Sequence, residues 1–274
     1  MKNQLLRNSA AWLLGLICAC AVSTQAATPK KLLVVSVTKG FRHSSIPTAE
    51  KVLEELGKKS GAFTVDYVHD DQQMAEKMTA AAHQQYDGVV FANTTGDLPL
   101  PDKQAFIDWI KSGKAFVGMH SASDTFHDFP PYVEMLGGEF QTHHAQVKVD
   151  CRNQDQTHPA TRHLGATFPV FDEIYLLKNF HRDQVHGLLT LNAHPNEKTP
   201  GDYPIAWCKM YGGGRVFYTS LGHREDVWDP DWADKNGKRE NSREVSENYR
   251  KHVLGGIQWA LGLEKGDARP QKKD

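Results

Sequence analysis

The sequence predicts an α/β protein on a doubly wound, mostly parallel sheet, with a β-rich excursion in its second half. Two observations carry that expectation. From Lys31 to His120, short β-branched runs alternate with longer amphipathic ones, the spacing at which returning helices lay down parallel strands. After Pro130 the rhythm gives way to closely spaced alternating segments and a glycine-marked turn.

The elements follow in order. "KLLVVSV" (31–37) reads as a buried strand. In "IPTAEKVLEELGKKSG" Pro47 suits a first helical turn, Val52, Leu53 and Leu56 form an apolar stripe, and Gly57 or Gly61 ends the helix. "FTVDYVHD" alternates as a strand, and "DQQMAEKMTAAAHQQ" reads as one helix capped by Asp70 or Asp71. "YDGVVFANT" is a third strand, "PDKQAFIDWIKSG" a helix closed by Gly113, and "KAFVGMH" a fourth strand. Further on, "QTHHAQVKVDC" alternates as a single strand, and "DEIYLL" and "GLLTLN" read as two more. The loop "AHPNEKTPGDYP" precedes a hairpin turning at Gly212–Gly214, and "EVSENYRKHVLGGIQWALGL" is a closing amphipathic helix.

The N-terminus differs from the rest. Lys2 and Arg7, the apolar run from Ala10 to Val22 and the small residues of "STQAA" have the layout of a secretory signal peptide, expected over 1–26. Cys20 in "ICAC" offers a less favoured lipoprotein reading. One domain is expected over 27–264, followed by a polar, frayed tail over 265–274. Removing Lys2 and Arg7 takes the formal net charge from −1 to −3, too close to neutral for a nucleic-acid partner. No later run is long and apolar enough to span a membrane. Cys151 and Cys208 are expected to be buried and separate, although an exported protein could pair them.

Chemistry concentrates at predicted strand ends. All 14 histidines lie outside the leader, and His43, His120, His127, His143, His144, His181 and His223 crowd these ends. Parallel sheets gather such loops along one edge, so His43, His120 and His223 are expected in one pocket. Histidine there serves proton transfer or metal binding. His120 sits where a strand meets a tight turn, with Asp124 four residues on to orient its ring; His223 and Glu225 follow a later strand. His143 and His144 are neighbours on a strand and should point oppositely, so at most one faces the pocket. Trp228 and Trp232 in "VWDPDWAD" either form an apolar platform for sugar rings or partner surfaces or pack down onto the domain.

The segments "VTKGFRHSSI", "VGMHSASDTFHDFPPYVEMLGGEFQTHH", "DEIYLL" and "GGGRVFYTSLGH" resemble the ThuA-like, trehalose-utilisation family across nearly the whole mature chain. The resemblance implies a fold similar to class I glutamine amidotransferases, a flavodoxin-like sheet with a nucleophile elbow. It also implies a role in the metabolism of trehalose or other glycosides through 3-keto sugars. Where amidotransferases carry a cysteine at the elbow, this sequence has His120, and His223-Arg224-Glu225 stands where their His-x-Glu pair would. Thioester chemistry is thereby excluded. The expected function is that of an exported protein acting on a glycoside or 3-keto-glycoside by histidine acid/base chemistry. His120, Asp124, His223 and Glu225 would be catalytic, with Phe41, Arg42, His43, His143, His144 and Trp228 around the sugar. The alternatives are a hydrolase using a divalent metal such as zinc on His43, His120 and His223, or a non-catalytic sugar-binding module.

Overall fold

The structure, a computed structural model, describes residues 28–271, so the predicted leader lies outside the described residues. Its framework is a nine-stranded sheet in the order β2-β1-β3-β4-β11-β10-β9-β6-β7. Strands β1 (Lys30–Val35), β2 (Phe63–Val68), β3 (Gly88–Ala92), β4 (Ala115–Met119) and β11 (Gly214–Thr219) run parallel. From β11 outward, β10 (Pro200–Tyr211), β9 (His186–Ala193), β6 (Val147–Asn153) and β7 (Thr167–Asp172) pair antiparallel. The sheet is therefore mixed. The parallel half follows from the β-α alternation, while the β10–β11 hairpin, turning at Gly212 and Gly213, reverses the direction.

Central strands β3 and β4 are buried along their whole length, so they carry no polar alternation. One face is covered by α1 (Ile46–Ser60), α5 (Glu225–Trp228) and α6 (Arg243–Ala260), whose Val52, Leu53, Val253 and Ile257 meet Leu32, Val34 and Val117. The other is covered by α2 (Asp71–Lys77), α3 (Lys103–Lys111) and α4 (Pro130–Leu136), whose Met74, Phe106 and Tyr132 meet Leu33, Phe91 and Phe116. Asp70 and Ser242 cap α2 and α6 by accepting from Gln73 and Val245 N–H.

Three local expectations change. The helix expected after Asp70 stops at Lys77 and resumes as a 3-10 turn at Ala82–Gln85. "QTHHAQVKVDC" is two strands in two sheets: β5 (Glu139–His143) pairs with β8 (Tyr175–Lys178) in a small separate ribbon, and β6 joins the main sheet. The tail is docked through residue 271. Gly187 N–H donates to Gln271 Oε1 (3.1 Å), and Trp259 Nε1 donates to the Gly266 carbonyl (3.2 Å). Cys151 and Cys208 are free and buried, as expected.

Gly255 in α6 shows packing overriding helix propensity. A Cβ there would lie 2.1 Å from the Pro159 carbonyl oxygen, so the helix can approach that loop only without a side chain. In an exposed helix Gly→Ala stabilises by about 1 kcal/mol. Here Gly255→Ala is expected to destabilise by roughly 1–3 kcal/mol through overpacking. Denaturant midpoints decide the sign, and a raised midpoint would refute the close approach.

Candidate functional site

The site lies beyond the C-terminal ends of β1, β4 and β11, where parallel strands deliver their loops to one edge. After β4 the backbone turns sharply into a 3-10 segment, His120–Asp124, and His120 adopts φ of 45°, the left-handed region that non-glycine residues seldom occupy. That turn aims the His120 ring back over the sheet edge and leaves it fully buried. Its Nδ1 donates to the Ser220 carbonyl at 2.7 Å, so the loop after β11 sets its orientation. The β11 loop itself bends at Gly222 (φ 118°). The Gly222 N–H donates to Asp172 Oδ2 (2.7 Å), while its carbonyl accepts from Ser45, Asn93 and Trp228.

Around His120 the rings converge. His43 Nε2 lies 3.1 Å from His120 Nε2, and its Nδ1 lies 3.3 Å from Ser121 Oγ. The fourth member is Glu173. Its Oε2 lies 3.6 Å from His120 Nε2 and 3.2 Å from His223 Nδ1; its Oε1 lies 3.1 Å from His143 Nδ1. The His223 contact has ion-pair distance but not hydrogen-bond geometry, and this buried Nδ1 has no other hydrogen-bond partner among the described residues. One potential ligand atom from each of His43, His120, His223 and Glu173 lies within 4.8 Å of the others. Tyr175 roofs the His120 ring at 4.2 Å between centroids.

Electrostatics follow from the crowding. Burial, then the neighbouring His120 and His223, pull His43 down to about 3, so it is neutral at physiological pH. Burial pushes Glu173 up, but contacts with His120 and His223 outweigh it and hold the carboxyl well below the usual range. His223 shows the reciprocal effect: burial pulls it down, Glu173 pulls harder, and it ends above its ordinary value. Burial pushes the Asp172 carboxyl and Tyr175 phenol up.

His43, His120 and His223 thus come together with His143, which is 44% exposed at the mouth, while His223 is 19% exposed. Phe41 also stands at the mouth, 67% exposed, its ring edge-on to His43 at 4.9 Å. His144 points away and packs on His194. Other expected roles are not supported by the placement. Asp124 pairs with His127 Nε2 (2.8 Å), because the 3-10 turn carries it past the His120 ring; the Ser220 carbonyl takes its place. Glu225 opens α5 and makes no ion pair with His223 among the described residues; Glu173 occupies that position instead, and Glu225 adds only a weaker pull on the His223 pKa. Trp228 is fully buried beneath Gly222 and offers no stacking face. Arg42 is exposed and donates to the Ser36 carbonyl in its own loop. His127 and His181 line a separate cleft of about 340 Å³ with Glu139. Glu173 escaped the sequence reading; its signal was a pair of acids, Asp172-Glu173, interrupting two apolar strands.

Fold and site together define an α/β protein with a buried histidine–carboxylate centre at the C-terminal edge of its parallel strands. The chain matches the ThuA family, described as trehalose utilisation, over residues 31–260 and belongs to that family. The description is one of carbohydrate metabolism. Among solved structures, a ThuA-like protein from Parabacteroides merdae is similar at 19% identity and a TM-score of 0.65, covering 85% of this chain and 90% of its own. Another, from Bacteroides uniformis, is similar at 21% identity and a TM-score of 0.64, covering 87% and 94%. At such identities the likeness speaks for the fold. No curated protein matches the sequence. Among the described residues no helix is long and apolar enough to cross a membrane.

Proposed function

We propose that this chain is an exported enzyme acting on a glycoside or 3-keto-glycoside by histidine acid/base chemistry at the mouth of the cluster. One observation carries the reading: Glu173 is shared between His143, exposed at the mouth, and His120 and His223 beneath it. His143 Nδ1 faces two acceptors, Glu173 Oε1 and the His144 carbonyl (3.0 Å), so it holds a proton and leaves Nε2 as the basic lone pair. A ketone at C3 acidifies the C2 hydrogen. His143 takes that proton, the C–H electron pair forms the C1–C2 double bond, and the glycosidic C1–O bond breaks as the departing oxygen takes the proton from His143 and leaves as the alcohol. The charge that gathers on the keto oxygen calls for a positive group, and His223, whose charged form Glu173 favours, is the group placed to supply it. His120, without exposed surface, is the floor of the site and not the group that meets the sugar.

The same reading takes the parallel half as a flavodoxin-like, amidotransferase-like core whose elbow holds His120 in place of a thiol, in keeping with the order β2-β1-β3-β4-β11. Export rests on the leader-like residues 1–26. Burial of Trp228 takes one of the two tryptophans from the platform that favoured a binding module, leaving only the half-buried Trp232.

The test is turnover of a 3-keto-glucoside, followed by release of the aglycone. His143→Ala is expected to lower the rate about 10²–10⁴-fold with an unchanged circular dichroism spectrum. A wild-type protein that binds the sugar without consuming it would sink the enzymatic reading.

A further inference from the structure

Four potential ligand atoms, one each from His43, His120, His223 and Glu173, converge in the centre of this cluster. A backbone carbonyl only accepts, so His120 Nδ1, at 2.7 Å from the Ser220 oxygen, must carry a proton. A neutral His120 then presents the Nε2 lone pair to His43 Nε2 at 3.1 Å and to a Glu173 oxygen at 3.6 Å. His223 Nδ1 joins them, buried, 3.2 Å from the same oxygen and outside hydrogen-bond geometry. Lone pairs and a carboxylate converging in a buried space repel unless positive charge lies between them. Protons on neutral His43 and His223 cover at most the 3.1 and 3.2 Å edges, and the 3.6 Å edge between the His120 lone pair and the carboxylate stays without one. The edges of 3.1, 3.2 and 3.6 Å bracket the edge of about 3.3–3.4 Å expected of a tetrahedron with metal–ligand bonds of about 2.0–2.1 Å.

We propose that His43 Nε2, His120 Nε2, His223 Nδ1 and Glu173 Oε2 bind one divalent transition-metal ion of the zinc class. An imidazole-rich set with one carboxylate suits such an ion and not calcium or magnesium. The outer contacts fit as well. The Ser220 carbonyl on His120 Nδ1, Ser121 Oγ beside His43 Nδ1 and His143 on the other Glu173 oxygen hold the ligands in register, as second partners do around bound metals. The inference rests on reading this cluster as the working centre. It assigns the positive charge beneath the keto oxygen to the ion in place of a protonated His223, while His143 keeps the proton transfer. A second trio, His144, His194 and Glu197, does not compete. There His194 Nδ1 already accepts from Asn196 and Glu197 N–H at 3.3 and 3.0 Å, which puts its proton on Nε2.

The experiment uses the full chain. Protein is stripped with a chelator, dialysed and titrated calorimetrically with Zn²⁺ alone, and its melting temperature is read with and without the ion. One ion per chain is expected, with a raised melting temperature because only the folded state offers the site. His43→Ala and Glu173→Gln should each weaken binding at least 10-fold. Loss of a buried ligand could disturb the fold, so Co²⁺ loading of the wild type gives a second reading: visible absorption of a low-symmetry nitrogen–oxygen site, displaced by Zn²⁺. Wild type that binds no Zn²⁺ at millimolar concentration overturns the proposal. So does binding that survives both substitutions and is lost in His194→Ala. Unchanged turnover after chelation also overturns it and leaves the proposed reaction standing. One tightly bound ion without turnover of the 3-keto-glucoside supports the metal site and defeats the reaction.

Discussion

Glu173→Gln is expected to lower turnover of a 3-keto-glucoside by about 10²–10⁴-fold while the protein stays folded, because one carboxylate contacts His120, His143 and His223. The amide keeps the volume and one acceptor but loses the charge. His143 loses the carboxylate that fixes its tautomer, and His223 loses the interaction that lifts its pKa against burial. His223 should then titrate lower than in the wild type, since burial is opposed only by the Asp172 and Glu225 charges once Glu173 is neutral. Histidine ring NMR across pH 5–9 reads that change independently of activity. A merely structural carboxylate would cost stability and leave kcat near the wild-type value. Turnover within threefold of wild type would remove Glu173 from the reaction.

The placements of His43, His120 and His223 were legible because each follows a strand of the parallel half, and a parallel sheet sends such ends to one edge. Glu173 was not. It lies where the chain leaves β7 in the main sheet and enters β8 in the small ribbon, and strand patterns do not say which sheet a strand joins. The same ambiguity made one strand of β5 and β6. Glu225 looked the better partner because it is two residues from His223, but it opens α5 and the ion pair goes to Glu173. Trp228 misled for a related reason: its neighbours are polar, yet α5 folds it under Gly222 and against Tyr249 (centroids 4.9 Å). Sequence proximity ranks partners poorly wherever the chain changes element between them.

Acid is expected to destabilise this protein well before its carboxylates are neutralised, through two histidines remote from the strand-end loops of the site. Burial pulls His158 down to about 4 and His252 to about 3. Each has a tautomer fixed by its surroundings. His252 Nδ1 donates to the Ala160 carbonyl (2.9 Å) and leaves Nε2 buried without a partner, while His158 Nδ1 accepts from Ala160 N–H (3.2 Å). The groups facing His252 are Phe217, Tyr249, His158 and His163, none of which offers an anion to a second proton. Both folded pKa values lie below the unfolded value near 6.5, so between them the unfolded chain binds more protons. Their contribution is complete above about pH 6.5 and is lost as pH falls toward 4, at up to about 1.4 kcal/mol per pH unit for each ring. His127 and His223 have raised values, so their stabilisation is fully present below pH 6.5 and is lost only as pH rises through the folded values. They cannot offset the acid limb. Guanidinium unfolding from pH 7 to 4.5, in chelator, should therefore show a steep fall in stability. In His252→Gln the fall should be shallower by up to about 1.4 kcal/mol per pH unit, with lower stability at pH 7. An identical slope in the two proteins would show that His252 is not held neutral by its burial.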